Sequence, residues 1–310
     1  MKVCVRIIAL LTAVALLFVL NDYFTVDRYS STVMYGSIGQ KRARANSIKG
    51  EKVIIIGGSA SNLGFDSQKF EELAGKPAAN LSLSAGIPLR VYMQLATLHA
   101  NPGDAIIFPI EYGYYREEFD KVSEDYVDIV AVDSQLQCDK GFVIKADYWE
   151  ARFLRSFTRI NDCLLFDLRK AMGTKNTIYV ADSVDEYGDF RMHKGREATY
   201  TCSPVDDPFV YLEDTMEAIR TFVDDMGEKG VMVYITYPCV DKHHFKNADA
   251  YFSAVQKAVE TYIPATNILG TPTDFGYDSD LFFDTAYHLR YENRSVYTEQ
   301  LYRFYSKKAE

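Results

Sequence analysis

Short apolar runs alternate with helix-like segments along most of this chain, and that alternation restricts its fold more than any other feature. The clearest run, residues 52–58 (KVIIIGG), ends in glycines after successive branched side chains, which is typical of a strand buried on both faces of a sheet. Further strands are predicted at residues 79–84, 105–110, 230–237 and 267–269. Strands that alternate with helices form a parallel sheet covered on both faces. We therefore expect a three-layer α/β/α fold with a mainly parallel, flavodoxin-like sheet.

The predicted helices have recognisable ends. Asp66 or Ser67 is expected to cap one helix, and Pro88 suits the start of another that continues to about residue 100. Other helices are predicted at residues 148–172, 212–226, 248–262 and 292–306. The alternation is lost between residues 111 and 203. We expect one α/β domain over residues 52–310, with an insertion at about 111–203 that forms a lid or one wall of a cleft.

An apolar N-terminal run carries the main signal for cellular location. Residues 7–20 are almost entirely apolar, and Lys2 and Arg6 precede them. A membrane span takes roughly 17–25 residues. The run reaches that length when the apolar residues before Arg6 are included, because the Arg6 side chain can extend its charge back to the headgroups. Small residues, which a cleavage site requires, do not follow the run. We expect an uncleaved signal anchor over residues 1–21 and a polar connector over 22–51; a cleaved signal peptide and a buried N-terminal helix are the alternatives.

Charges around the run predict its orientation. Lys2 and Arg6 flank one end, whereas Asp22 and Asp27 follow the other. Positive residues favour the cytoplasmic side, so we expect a single-pass membrane protein with a cytoplasmic N-terminus and an extracytoplasmic main domain. The cysteines beyond the run fit either up to two disulfides or buried thiols. They are Cys138, Cys163, Cys202 and Cys239.

Net charge and residue spacing exclude two classes of partner. The chain has 34 Lys and Arg residues against 43 Asp and Glu residues, a formal net charge of −9. A nucleic-acid-binding protein needs a basic face, so no nucleic-acid partner is expected. The cysteine spacings match no zinc pattern, and the adjacent His243 and His244 point to different sides, so no metal site is predicted.

Ser59 lies where a parallel α/β fold places functional groups. It follows the first strand after Gly57 and Gly58, and it precedes a helix. This turn belongs to the carboxyl edge of the sheet, where ligands bind. The turn lacks the Lys-Ser/Thr of a phosphate-binding P-loop and the glycine spacing of a dinucleotide-binding loop. A nucleophilic role for Ser59 depends on a partner base elsewhere in the chain.

A base and a carboxylate for such a serine occur near the C-terminus. Asp284 precedes His288 by four residues, just before the last predicted helix, and the chain has only five histidines. A serine nucleophile needs a histidine to accept its proton and a carboxylate to hold the imidazole in the correct tautomer. Ser59, Asp284 and His288 are therefore the predicted catalytic residues, in a mechanism that requires no cofactor.

Together these segments resemble the SGNH (GDSL-like) hydrolase superfamily, in which the nucleophile follows the first strand and an Asp-x-x-His pair precedes the last helix. The resemblance covers residues 52–110 and 230–306. Residues 57–66, 80–82 and 287–289 look like the membrane-anchored branch, which includes the D-alanyl-lipoteichoic acid accessory protein and relatives of the alginate O-acetylation proteins. That resemblance implies an extracytoplasmic protein that acts on a cell-envelope polymer, often together with a membrane-bound O-acyltransferase.

The chain departs from the family pattern at three points. Gly58 replaces the aspartate that precedes the nucleophile in the GDSL motif. The spacing from Asp284 to His288 is one residue longer than in the family. Glu111 follows the third strand where the family has an asparagine, and a carboxylate cannot stabilise an oxyanion.

The resemblance implies an oxyanion hole made from other groups. The N–H groups of Ser59 and Gly86 are the first candidates, and Asn62 and Asn80 are further ones. Candidate residues for an acceptor groove follow the third strand and lie in the insertion. They are Glu111, Tyr112, Tyr187 and Asp189. Core packing and a solvated turn are the plain alternatives for these residues.

These features favour an O-acyltransferase or esterase, with acetyl as the expected group, that acts on a cell-surface or exported polysaccharide through an acyl-enzyme on Ser59. The sequence leaves open whether a sugar hydroxyl or water is the acceptor. The alternative function is a non-catalytic polysaccharide-binding or scaffold subunit of a membrane O-acyltransferase complex. Gly58 and Glu111 favour that alternative, whereas the retained serine, aspartate and histidine oppose it.

Overall fold

The computed structural model describes residues 2–119, 121–138, 146–172 and 179–309. The chain divides into two compact units, each assembled from two separate stretches. The smaller unit comprises residues 1–36 and 122–182, and the larger unit comprises residues 37–121 and 183–310. The predicted insertion at 111–203 is therefore too long, because its two ends belong to the larger unit and only residues 122–182 leave it.

A parallel sheet lies in the larger unit, so the predicted α/β class is confirmed. The strands are β1 (Val53–Ile55), β2 (Ala78–Asn80), β3 (Ala105–Pro109) and β4 (Met232–Thr236), in the order β2-β1-β3-β4. All their residues except Met232 are buried, which explains their continuous apolar sequences. Residues 267–269, predicted as a strand, contribute a single parallel bridge between Ile268 and Ile235. A separate parallel pair consists of β5 (Val240–Asp241) and β6 (Gly276–Tyr277).

The strand order reverses the direction of winding at β1. β1 pairs with β2 on one side and β3 on the other, so that Ile55 lies opposite both Asn80 and Ile107. After β1 the chain therefore forms β2 on one side of β1 and then β3 on the opposite side. In parallel α/β sheets, ligands bind where the winding reverses in this way. The segments that follow β1 and β3 at this point carry Ser59 and Glu111.

Most helices occur where the sequence predicts them. The described α-helices are α1 (Lys2–Thr32), α2 (Ile38–Ser47), α3 (Ser59–Gly64), α4 (Ser67–Ala74), α5 (Leu89–His99), α6 (Glu124–Val132), α7 (Ala146–Ala171), α8 (Glu213–Glu228), α9 (Ala248–Tyr262) and α10 (Arg294–Ala309). The Asp66 carboxylate caps α4 by accepting a hydrogen bond from the Lys69 N–H at 3.0 Å. Pro88 directly precedes α5, as predicted. Helices α2, α3 and α6 were not foreseen.

The predicted polar connector over residues 22–51 is largely helical. α1 continues to Thr32, and α2 follows a short 3-10 turn. The polar composition of residues 22–32 is explained by contacts within the smaller unit, where Asp22 and Tyr29 of α1 are buried. The polar residues 22–32 therefore belong to a packed helix, and the expectation that they form a polar connector is corrected.

Ion pairs hold α1, α6 and α7 together in the smaller unit. The fully buried Arg159 of α7 donates to Asp22 of α1 at 2.7 Å and to Asp128 of α6 at 3.0 Å. Arg155 and Tyr29 also donate to Asp128, at 2.9 and 2.7 Å. Buried charges are tolerated when they are paired and hydrogen-bonded, as these are.

Among the described residues, α1 is the helix that is long and apolar enough to cross a membrane. Its most apolar window has a mean hydropathy of 2.8, and none of that window is buried. This agrees with an N-terminal membrane span or signal anchor. In the part of the chain that the structure describes, the cysteines form no disulfide bond, so they occur as thiols.

Candidate functional site

Ser59 is the first residue of α3, at the carboxyl edge of the sheet. Backbone hydrogen bonds hold the segment that follows β1 against the segments on both sides. The Ile56 N–H donates to the Ile107 carbonyl at 3.2 Å, and the Leu83 N–H donates to the Gly57 carbonyl at 3.1 Å. Ser59 is half-buried, whereas most of the surrounding turn is fully buried. The strand-to-helix turn therefore presents this hydroxyl at the edge of the core, as the sequence predicts.

Asp284 and His288 form a hydrogen-bonded pair. The Asp284 Oδ1 atom lies 2.7 Å from the His288 Nδ1 atom, and both side chains are mostly buried. A short loop holds them: Phe282 and Leu289 form an antiparallel bridge, and the Phe283 N–H donates to the His288 carbonyl at 2.7 Å. An aspartate at Nδ1 fixes the tautomer in which Nε2 is the basic nitrogen.

The thiol of Cys239 connects the turn of Ser59 to the loop of His288. Its Sγ atom lies 3.6 Å from the Ala60 carbonyl and 3.3 Å from the Tyr287 carbonyl, so the residues that follow Ser59 and precede His288 contact the same sulfur atom. Burial raises the pKa of Cys239, which keeps the thiol protonated. The structure thereby brings two sequence-distant segments together. Sequence reasoning treated Cys239 only as a disulfide or thiol candidate.

Glu111 lies against the turn that carries Ser59 rather than in an open acceptor groove. It is only 7% exposed, and its Oε1 atom accepts a hydrogen bond from the Ala60 N–H at 2.8 Å. Its side chain is also hydrogen-bonded to the Ser59 hydroxyl and interacts electrostatically with His288. Burial raises the pKa of Glu111, partly opposed by these three groups. The expectation that Glu111 lines an acceptor groove is corrected, because its side chain is buried against the turn that carries Ser59.

The other groove candidates have different surroundings. Tyr112 is 1% exposed and packs against the rings of Phe245, Tyr251, Phe252 and Tyr287. Asp189 is 1% exposed and accepts hydrogen bonds from the Ser67 N–H and hydroxyl and from the Asn80 amide. Tyr187 is half-buried beneath the Arg44 guanidinium. The structure thus places Tyr112 and Asp189 in the interior, where aromatic packing and hydrogen bonding account for them.

Besides the Ser59 N–H, the oxyanion-hole candidates comprise one residue in an exposed loop near the turn and two buried asparagines. Gly86 is exposed in a loop whose neighbour Ala85 approaches Gly58, and the Gly86 N–H lies 3.3 Å from the Ser84 Oγ. Asn62 is fully buried, and its Oδ1 atom accepts from the Lys41 ammonium at 3.0 Å.

Asn80 is buried as well and donates to Asp189 at 3.0 Å. Its Oδ1 atom also accepts from the Ser82 N–H at 3.0 Å. Both asparagines therefore hold the backbone around α3 and β2 in place.

Lys41 completes this buried network and was missed from the sequence, where it fell within the predicted polar connector. Its ammonium group donates to Asn62 and to the carbonyls of Asn80 and Gly188. Burial lowers the pKa of Lys41 to about 8, against the opposing effect of Asp189 and Asp185. No sequence signal distinguished this lysine from the neighbouring Arg42 and Arg44, which are only partly buried, because its partners come from distant segments.

Comparison of the chain with protein-family models, with curated proteins and with solved structures found no match.

Proposed function

We propose that this protein is a membrane-anchored, extracytoplasmic, serine-dependent O-acyltransferase or esterase with an SGNH-like, three-layer flavodoxin-like fold. Its substrate would be a cell-surface or exported polysaccharide, and its acyl group acetyl. The observation that carries the proposal is the convergence on Cys239 of the segment that bears Ser59 and the loop that bears the Asp284–His288 pair. All three residues belong to the larger unit.

The proposed reaction has two acyl transfers. The Ser59 Oγ attacks the acyl carbonyl carbon, and its proton passes to His288 Nε2, while Asp284 stabilises the imidazolium. The donor alcohol then leaves with that proton, and the acyl group stays on Ser59 as an ester. A sugar hydroxyl or water next gives its proton to His288 and takes the acyl group, and His288 returns that proton to the departing Ser59 Oγ, which restores the serine.

The N-terminal helix supports the proposed location. Lys2 and Arg6 precede the apolar run of α1, and acidic residues follow it, so the proposed orientation places the N-terminus in the cytoplasm. The larger unit then faces the cell envelope, where a polysaccharide is accessible. A membrane-bound O-acyltransferase that supplies the acyl group is the partner that the family resemblance implies.

A scaffold role is the second candidate, and one observation favours it. Glu111 is hydrogen-bonded to Ser59 and buried beside it. An ionised carboxylate in that position would repel the negative charge that acyl transfer builds on the substrate oxygen. In this alternative the larger unit binds the polymer for a partner enzyme and transfers no acyl group itself.

The experiment that separates the two candidates uses the full chain in detergent micelles. A fluorophosphonate probe and an activated acetyl ester are applied to the wild type and to Ser59→Ala and His288→Ala. Ser306→Ala and His243→Ala serve as matched controls, since Ser306 is partly exposed and His243 is exposed. Labelling and acetyl release that disappear only in the first two variants support the enzyme. A folded wild type that reacts with neither reagent, with or without the polysaccharide, favours the scaffold.

A further inference from the structure

Glu111 has a position that suits a direct role at the reacting oxygen. One carboxyl oxygen, Oε1, accepts from the Ala60 N–H at 2.8 Å, and the side chain is hydrogen-bonded to the Ser59 hydroxyl. A group within hydrogen-bond reach of the serine oxygen is also close to the substrate oxygen, since both oxygens are bonded to one carbon in the tetrahedral intermediate. Glu111 therefore lies beside the serine oxygen, close to the place where the oxyanion would form.

The protonation state decides whether such a carboxyl group helps or hinders. An ionised carboxylate only accepts hydrogen bonds, whereas a carboxylic acid has an O–H that donates one. A buried neutral carboxylic acid serves as an oxyanion donor in ketosteroid isomerase, so the chemistry has a precedent. Burial raises the pKa of Glu111 and thereby favours the neutral form. The family's asparagine and a neutral Glu111 would both offer a donor after the third strand.

The groups that face Glu111 from the neighbouring elements are mostly neutral. Burial raises the pKa values of its electrostatic partners, so these groups stay protonated near pH 7. They lie on α5, after β3, after β4, beside His288 and on α10. They are Tyr92, Tyr114, Cys239, Tyr287 and Tyr297. The remaining electrostatic partner is His288, whose Nδ1 atom lies 2.7 Å from the Asp284 Oδ1 atom.

We propose that Glu111, as a carboxylic acid, is the side-chain oxyanion donor for acyl transfer on Ser59. This assignment rests on the proposed function. As Ser59 Oγ bonds to the acyl carbon, the carbonyl electron pair moves to oxygen and the serine proton moves to His288. The Glu111 O–H donates a hydrogen bond to that oxygen, while Oε1 keeps its bond from the Ala60 N–H. Glu111 neither gains nor loses a proton, and the carbonyl re-forms when the alcohol leaves.

Replacement by glutamine is the decisive test, because its amide provides the same two functions at every pH. The Glu111→Gln carbonyl accepts from the Ala60 N–H, and its NH₂ group donates to the oxyanion. We expect Glu111→Gln to keep acetyl-ester turnover within about tenfold of wild type, and Glu111→Ala to lose about 10²–10³-fold, the effect of removing one oxyanion donor. The wild-type rate should fall at high pH as Glu111 ionises, and Glu111→Gln should lack this alkaline decline.

Controls and opposite outcomes are available. Glu118→Gln, at an exposed position, should behave as wild type, and urea unfolding of every variant separates misfolding from loss of a donor. The proposal is overturned if folded Glu111→Gln is as inactive as Glu111→Ala, or if it retains the alkaline decline.

Infrared difference spectra of wild type and Glu111→Gln provide a readout besides activity, since only a protonated Glu111 gives a carboxylic-acid carbonyl band. An ionised Glu111 across the active pH range overturns the assignment even in an active enzyme. Absence of Ser59 labelling instead refutes the proposed function, and the donor role with it.

Discussion

Gly58 and Glu111 share one space: a Cβ atom on residue 58 would lie 2.3 Å from the Glu111 Oε1 atom and 2.9 Å from its carboxyl carbon. Two residues that look independent in the sequence are therefore linked. The absence of a side chain at residue 58 leaves room for the carboxyl group that reaches the Ala60 N–H. The two residues depend on each other in the folded chain, although 53 positions separate them in the sequence.

The first prediction concerns this shared space. Gly58→Ala should destabilise the protein by about 1–3 kcal/mol, because the new methyl group displaces the Glu111 carboxyl and breaks its bond to Ala60. In a Glu111→Ala background the same change should cost at least ~1 kcal/mol less. Urea unfolding of the four proteins in the cycle measures this coupling. Gly227→Ala is the control, since a Cβ there meets nothing within 4 Å; equal costs in both backgrounds would refute the shared space.

The second prediction concerns the orientation of His288. Asp284→Asn should reduce fluorophosphonate labelling of Ser59 by up to about 10⁴-fold, because the amide stabilises the wrong imidazole tautomer. Protein stability should change much less. Labelling rates over a pH series check this, and Asp280→Asn, an exposed position near the same loop, should leave the rate unchanged. Equal labelling of Asp284→Asn and wild type would remove Asp284 from the mechanism.

The third prediction concerns acid sensitivity. His193 is buried beside the rings of Phe190, Phe283 and Tyr291, and burial lowers its pKa to about 3. In the unfolded chain this histidine takes up a proton near pH 6.5, whereas in the folded chain it stays neutral down to about pH 3. The free energy of unfolding therefore falls as pH drops from about 6.5 toward 3.

His193→Phe keeps the packing and should remove this loss, which amounts to at most about 1.4 kcal/mol per pH unit. Urea midpoints between about pH 4 and 7 test it. The exposed His243→Phe should retain the wild-type slope, and a His193→Phe slope identical to wild type would contradict the assignment.

The fourth prediction concerns the smaller unit. Arg159→Leu removes the common partner of Asp22 and Asp128 and leaves their buried carboxylates undercompensated. A loss of about 3–5 kcal/mol is expected, seen as rapid proteolysis of residues 122–172 in detergent. Lys170→Leu, at an exposed site on the same helix, should leave the cleavage pattern intact. Resistance of Arg159→Leu equal to that of the control would show that the ion pairs contribute little.

The regular elements of the larger unit were predictable because their signals are local. The run of branched residues at 53–55, the Asp66 cap and Pro88 each specify a strand or a helix end from a few neighbours. The helical path of residues 22–47 was not predictable, since its polar residues pair with segments that are distant in the sequence: Asp22 with Arg159, Lys41 with Asn62 and Arg42 with His99. Composition alone made that stretch resemble a linker.

The candidate site divides in the same way. Ser59 and the Asp284–His288 pair could be found because residue type, spacing and position after a strand coincide. The burial of Asn62, Asn80 and Asp189 could not, since it depends on segments that meet only in the folded chain. The placement of Glu111 was hidden for a further reason, because the space it fills exists only when residue 58 has no side chain.

The interleaving of the two units has a consequence during biosynthesis. Asp22 leaves the ribosome 130 residues before Arg152, the first of its two arginine partners, an interval of roughly 6–26 s at 5–20 residues per second. During that time the second half of α1 carries a carboxylate that has no arginine partner yet. The smaller unit can form once Arg159 has emerged, while β4 and α10 are still to be made. The nascent chain can therefore complete the unit that contains α1 before it can complete the sheet that bears Ser59.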